Sequence, residues 1–529
     1  MKKHLLVIFA CLLALSVGLA GCSEGGGKEG GSSKGGTMIY GRGGDSVALD
    51  PAVVTDGESF IVTEQIFENL VQYGKDNTEI EAGLAKKWEI SEDGLTYTFH
   101  LEEGIKFHDG TDFNADAVVE NFKRWSTSKD EAKFAYYPSM FGGFEGDEGH
   151  VIKEVKAVDK KTVEFTLTRP QAPFLKNIAM SPFAIASPKA FADGDKFAKN
   201  PVGTGPFKFK SWKPNDTIEL TANEDYWKKG LPKLGGVKFK VIKDNAARLN
   251  AVTKGEIDLM DGLNPSDLGK VKDNNKLQVF ERPSMNVGYF GFNTEKAPFD
   301  KKEVRQAISH LINKQELIDN FYAGTAEPAK NPMPPSIGGY NDAIQDYEYN
   351  VDKAKELLKK AGYEKGFKMD LWAMPVARPY MPDGQKVGEA IQASLKQVGI
   401  EAKIVTFEWG TYLEKVQAGE APTFMLGWTG DNGDADNFLY TLLDKDTIGS
   451  NNYARYNNEE VHKLLIEAQQ LSNEDERNEL YKKAQEIIHE DAPWVPLVHS
   501  KPQLVGASSV KGFVPHPTGS QSFVDVSID

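Results

Sequence analysis

Positions 367 to 428 write out a strand, a helix, a strand, a helix and a strand, and that order leaves few folds open. The run 367–373 (FKMDLWA) reads as a strand, and three prolines within 375–382 (PVARPYMP) forbid regular structure after it. Val387, Ile391, Leu395 and Val398 recur at helical spacing, with Gly399 as the stop. A strand at 402–407, a helix at 411–418 ending at Gly419, and a strand at 423–428 complete the pattern. Strands alternating with helices imply a parallel sheet with right-handed crossovers. Parallel strands present their C-terminal ends along one edge, where open α/β sheets hold ligands. Arg378 follows the end of the first strand, and Asp431, in GWTGDNGDADN, follows the end of the third. Topology thus brings two opposite charges to one rim, as the ends of a cradle for a short zwitterion.

The 529 residues exceed what one hydrophobic core usually supports, so more than one domain is expected. A net charge of -15 argues against nucleic acid, which needs clustered Lys and Arg. The two cysteines, Cys11 and Cys22, both lie at the N-terminus, so the body holds no disulfide framework and no thiolate metal site. Lys2 and Lys3 precede an uncharged apolar run, 5–20, shorter than the ~20 residues that span a bilayer. Residues 1–21 therefore read as a signal peptide. Leu19-Ala20-Gly21-Cys22 resembles a bacterial lipobox, which implies a lipid on Cys22 after cleavage. Residues 22–36 are dominated by Gly and Ser, a flexible tether of ~20 Å r.m.s. span.

Elsewhere 61–70 reads as a helix, 95–101 as a strand, and 104–110 (GIKFHDG) as a strand and turn. Asn114 and Asn350 are N-caps, the second for a helix running to 360–361 and stopped by Gly362. Ser472 is read as the cap of a helix with Leu480, Ala484, Ile487 and Ile488 as its apolar stripe, and the tail from Lys501 as strand-poor. Catalytic motifs of the G-x-S-x-G, H-E-x-x-H and C-x-x-C types do not occur. His100 with His108, and His489 with His499, lack metal-ligand spacing. The run 431–437 hints at a calcium loop, but its glycine stands third, not sixth, and no Glu closes twelve positions. The expectation is a protein that holds and does not react, with no cofactor and no metal.

Several runs carry a resemblance. GLAKKWEISEDGLTYTFHLEEGIKFHDGTDFNADAVVENFKRW (83–125), VGTGPF (202–207), NEDYW (223–227), NVGY (286–289) and FDKKEVRQAISHLI (299–312) resemble the extracellular solute-binding proteins of peptide and nickel ABC transporters, family 5. MPVARPY (374–380) and GWTGDNGD (427–434) are similar to its dipeptide-binding branch. The resemblance spans 37 to the C-terminus and implies a two-lobed, hinged α/β fold of the periplasmic-binding-protein type. Its first lobe would be 37–283, with an extra subdomain at about 71–199. The second lobe would be 284–499, and 500–529 would return to the first, making it discontinuous.

The resemblance also gives the two charges a direction: Arg378 for the ligand carboxylate and Asp431 for its ammonium. A guanidinium fork matches a carboxylate through two parallel hydrogen bonds, and one carboxylate satisfies an ammonium. A fixed separation selects peptide length, because a chain advances at most ~3.3–3.6 Å per residue. Tyr380, Trp428 and Gly430 flank the pair as wall and backbone contacts. The implied function is capture of a short peptide, first a dipeptide, by a monomeric lipoprotein that delivers it to an ABC permease. It would be exported and anchored on the outer face of the cytoplasmic membrane, at a Gram-positive surface. The same scaffold specialised for haem, nickel, glutathione or an amino-acid derivative is the alternative; a secreted hydrolase or a surface sensor is the alternative of another class.

Overall fold

A computed structural model describes residues 35–130 and 133–529. The expected signal peptide, Cys22 and most of the expected tether lie outside the described residues. Two mixed sheets organise the chain. In the first, seven strands run in the order Leu277–Glu281, Gln503–Ala507, Leu259–Met260, Gly35–Arg42, Leu234–Val241, Thr217–Ala222 and Phe207–Lys213. Gly35–Arg42 lies parallel to both neighbours and buries Met38 and Tyr40 completely. It opens at Gly35, so it takes in the last two residues of the expected tether.

The second sheet runs Ala326–Pro328, Trp494–Ser500, Asn286–Phe292, Thr423–Thr429, Lys368–Trp372 and Glu401–Val405. Its last three strands are the ones read from the sequence. Lys368–Trp372 pairs parallel with both of the others, meeting Thr423–Thr429 at Trp372 and Phe424. Antiparallel Asn286–Phe292 borders this parallel part. The intervening helices are Gly384–Lys396 and Trp409–Gln417, with Gly399 and Gly419 at positive φ just beyond them. A third, antiparallel sheet (Ala85–Ile90, Thr96–Leu101, Thr162–Leu167 and Ile152–Asp159) has an aromatic core of its own, including Phe99, Phe122, Trp125 and Phe165.

The chain crosses between the first two sheets twice, and the crossings run side by side. Arg282 N donates to Pro502 O at 2.9 Å, and the Asn286 amide donates to Ser500 O while accepting from Ser500 N, both at 2.9 Å. The result is a two-lobed α/β fold.

Four local expectations change. The helix at 61–70 is Gly57–Thr63, capped by Asp56, whose side chain accepts from Ser59 N. Beyond it Glu68 accepts from Thr204, Tyr226 and Trp227, a tertiary demand that local pattern does not reveal. GIKFHDG makes only a Lys106–Asp112 bridge, with His108 Nε2 donating to the Gly205 carbonyl at 2.9 Å. Asn473, not Ser472, caps Glu474–Asp491, accepting from Glu476 N. The tail is not strand-poor at its start, since Gln503–Ala507 pairs on both sides within the first sheet.

Candidate functional site

Gly288 and Gly427 sit directly opposite each other in register, leaving a bare spot on the second sheet. Tyr380 fills it. A Cβ on Gly427 would stand 2.3 Å from the Tyr380 ring, and one on Gly288 would stand 2.4 Å from its carbonyl oxygen. That oxygen accepts from Tyr322 Oη at 2.9 Å, so the side chain at 8 % exposure is a bolt more than a wall. The bolt carries the proline loop over the strand that leads to Asp431. Arg378 N and Met381 N each donate to the other residue's carbonyl, at 3.0 and 2.9 Å, closing a tight turn. On that turn Arg378 is exposed. Its guanidinium lies 5.7 Å over the Trp409 ring, within cation–π range, and no carboxylate of the described residues lies within 4.0 Å. Burial raises the pKa of the Tyr380 hydroxyl, and the positive charge of Arg378 pulls it back.

Asp431 has a different setting. It follows Thr423–Thr429 and is half-buried. Tyr136 Oη donates to Oδ1 at 3.4 Å and Asn437 Nδ2 donates to Oδ2 at 3.1 Å. Both donors are neutral, and no cation of the described residues lies within 4.0 Å. Burial pushes the carboxyl up to about 6, against the pull of Asn437 and Tyr136. The loop is braced from within: Asn437 Oδ1 accepts from Asp431 N and Trp428 Nε1, both at 3.0 Å. Gly430 N donates to Met285 O at 2.8 Å, and a Cβ there would meet Phe438 at 2.6 Å. Trp428 and Gly430 thus hold the loop in shape.

The other acids of the loop are spent on protein partners. Arg477 donates to both oxygens of Asp434, at 2.7 and 2.6 Å, and outweighs burial to hold that carboxyl near 2. Asp436, pushed up to about 7 by burial and then by Asp434, accepts from Gln469. Among the described residues one group has metal-ligand proximity, Asp444, Asp446 and His462, with ligand atoms within 4.8 Å of one another. It lies apart from this loop, and Asp444 already accepts from the Asp446 backbone while facing His462 Nδ1 at 3.1 Å.

The loop also meets the first lobe. Asn432 Nδ2 donates to Asn177 Oδ1 at 2.8 Å, and Lys176 Nζ donates to Gly433 O at 3.0 Å. Gly433 has φ 66°, and a Cβ there would lie 2.1 Å from Thr78 Oγ1, so only glycine fits this approach. Tyr136, Lys176, Asn177 and Thr78 escaped sequence reasoning, because nothing in YYPSMF or FLKNI marks a residue as facing another lobe. Asn437 carried a signal, as the last of an Asp/Asn-rich turn.

Comparison with known proteins places this geometry in context. Residues 79–450 match the family described as "Bacterial extracellular solute-binding proteins, family 5 Middle". The chain is 40% identical to the dipeptide-binding protein of Escherichia coli over 93% of this chain and 95% of that one. It is 38% identical to heme-binding protein A of Haemophilus influenzae over 98% of both. A periplasmic binding protein of Helicobacter pylori, solved in complex with the peptide STSA, superposes with a TM-score of 0.80. That structure is 38% identical, over 94% of this chain and 98% of that one.

Proposed function

The chain belongs to the bacterial extracellular solute-binding proteins, family 5, and from that premise we propose that it captures short peptides, dipeptides first, by their charged termini for an ABC importer. The observation that carries the reading is a pair of unmatched charges on the loops that follow two neighbouring parallel strands. Arg378 has no carboxylate and Asp431 no cation within ion-pair range among the described residues. Arg378 takes the peptide carboxylate through its fork, and Asp431 takes the ammonium, with Tyr136 and Asn437 holding its oxygens. Tyr380, Trp428 and Gly430 set the spacing of the two loops and so the accepted length. Lobe closure about the paired crossings at 281–286 and 500–503 encloses the ligand.

Calorimetric titration with Ala-Ala, Ala-Ala-Ala, N-acetyl-Ala-Ala and Ala-Ala-amide tests this. The free dipeptide is expected to bind about a hundredfold or more tighter than the acetylated form, which leaves Asp431 unpaired, and roughly 10- to 100-fold tighter than the amide, which leaves the exposed Arg378 unpaired. Equal binding of blocked and free peptides overturns the two-charge reading. The haem-binding relative makes hemin the necessary competitor: a Soret shift with no response to Ala-Ala would move the cargo to that class.

Membership in an extracellular family makes the protein an exported one. We take the finer location to be the outer face of the cytoplasmic membrane, at a Gram-positive surface, through lipid on Cys22. Labelled fatty acid should enter the wild type and not Cys22→Ser. We also take the protein to be a monomer that performs no reaction. Sedimentation, and the absence of free alanine after incubation with Ala-Ala, test those two points.

A further inference from the structure

Along 207–243 the chain carries nine lysines and no arginine against four carboxylates, a local excess of +5 in a protein whose net charge is -15. Strand pairing gathers that excess on one surface. Thr217–Ala222 runs between Phe207–Lys213 and Leu234–Val241 in the first sheet, antiparallel to both. Its side chains alternate: Ile218 and Leu220 are buried in the core of the lobe, which sends Thr217, Glu219 and Thr221 to the other face. Residues directly opposite one another share a face. Lys240 and Lys213 therefore stand beside Thr217, Lys238 beside Glu219, and Lys208 beside Thr221. A register shift between Phe209 and Ser211 sets Lys210 free of the ladder, and its Nζ reaches Glu219 at 3.1 Å.

Five lysines thus surround the middle strand on a face where neither they nor Thr217, Glu219 and Thr221 are buried. Glu219 is shared, lying 3.0 Å from Lys238 as well as 3.1 Å from Lys210. Lys213 and Lys208 pair with Asp216 and Asp225, which flank the strand and are 45% and 84% exposed. Lys240 has no carboxylate within 4.0 Å among the described residues. Ion pairs this exposed hold little, so the ammonium groups stay available to another anion. They stand on three adjacent strands ~4.7–4.9 Å apart, a platform suited to an extended anionic surface and not to one small anion.

We propose that this lysine face docks on an anionic phospholipid surface and turns the first lobe towards the membrane. The occupant follows from charge and from where the chain enters the fold. Gly35 N donates to Lys233 O at 2.8 Å, and Gly35–Arg42 runs beside Leu234–Val241, the strand that carries Lys238 and Lys240. Cys22 stands thirteen positions before Gly35, which is at most ~45 Å of chain. The choice of a bilayer rests on the reading of Cys22 as lipidated. A protein held within that reach meets headgroup phosphates at high effective concentration. The chain outside 207–243 sums to -20 and is repelled by the same surface, so attraction through the lysines fixes the orientation.

The test is co-sedimentation of the mature chain carrying Cys22→Ser, so that no acyl group contributes. Vesicles of phosphatidylglycerol and phosphatidylcholine in equal parts are compared with phosphatidylcholine alone. At low salt the anionic vesicles are expected to bind about tenfold more strongly, and high salt should abolish the difference. Lys208→Gln, Lys210→Gln, Lys213→Gln and Lys240→Gln combined should remove the preference. Lys353→Gln, Lys355→Gln, Lys359→Gln and Lys360→Gln combined, on Val351–Lys360 of the second lobe, change net charge equally and should leave it. Thermal unfolding checks that both variants are folded. Equal binding to the two kinds of vesicle overturns the proposal, as do equal losses in the two variants. Binding of soluble polyphosphate without binding of vesicles overturns it too, moving the face to a polymeric anion. If Cys22 takes no label from fatty acid, the anchor reading fails on its own, and the vesicle comparison still decides the lysine face.

Discussion

Arg378 stands exposed on a proline-bounded turn and leans on one ring of its own lobe, whereas Asp431 is half-buried and takes hydrogen bonds from both lobes. Under the proposed two-charge reading, the carboxylate end is complete in the second lobe alone. The ammonium end would be complete only when Tyr136 of the first lobe reaches Asp431. An exposed guanidinium can meet a peptide early and pays little for its charge. A carboxylate that burial has already pushed up to about 6 gains most when a cation arrives. The first contact and the closing contact are thus separated by their surroundings.

The sharpest way to break this contrast is to remove one charge at a time. Asp431→Asn is expected to weaken Ala-Ala binding by roughly 100- to 1,000-fold, because the ligand ammonium would then be enclosed without a counter-charge. Arg378→Met should cost less, roughly 10- to 100-fold, since water reaches the abandoned ligand carboxylate. The Arg378 contribution should also shrink as salt is raised, while that of Asp431 holds. Calorimetry of both variants at low and high salt decides it: equal losses with equal salt response would mean the two ends are alike.

Protons give a second test. A protonated Asp431 cannot hold an ammonium, so affinity should fall as pH drops through about 6, by about tenfold between pH 7 and pH 5. The ligand-free protein should respond to this group in the opposite sense. Its folded pKa is raised above the unfolded value, so the folded state binds the proton more tightly. The stabilisation from Asp431 is present below about pH 4 and is lost as pH rises through 6. Glu58 and Asp436, each pushed up to about 7, act on stability in the same direction. The difference between wild type and Asp431→Asn isolates the Asp431 share. An affinity that is flat from pH 5 to 7 in the wild type would remove the buried carboxylate from the site.

The same asymmetry explains what could be read in advance. The placement of Arg378 and Asp431 after neighbouring parallel strands was legible because strand–helix alternation and proline punctuation are local signals, and parallel topology converts them into a shared edge. The helix ends at Gly399 and Gly419 were legible for the same reason. The Gly288–Gly427 spot needed register, which depends on a partner strand more than a hundred positions away. Tyr136 and Gly433 needed the other lobe, where contact is set by tertiary approach and leaves no periodic trace. Glu68 cut a helix short to serve Thr204, Tyr226 and Trp227, a case of tertiary demand overriding propensity.

Tyr136→Phe asks most finely whether the ammonium end is shared between lobes. The lost bond is long, 3.4 Å, and neutral on the tyrosine side, so the direct loss is about 1 kcal/mol, or roughly fivefold in affinity. Its distribution matters more than its size. Removing a donor also removes one of the forces that lower the Asp431 pKa, so the midpoint of the affinity–pH profile should move upward. The Phe ring keeps the edge contact with Phe60, at 6.1 Å between centroids, which preserves packing while the hydroxyl is deleted. N-acetyl-Ala-Ala, which brings no ammonium, should be indifferent to the change. A fivefold loss shared equally by free and acetylated peptide would instead place Tyr136 in general lobe packing and return the ammonium end to the second lobe alone.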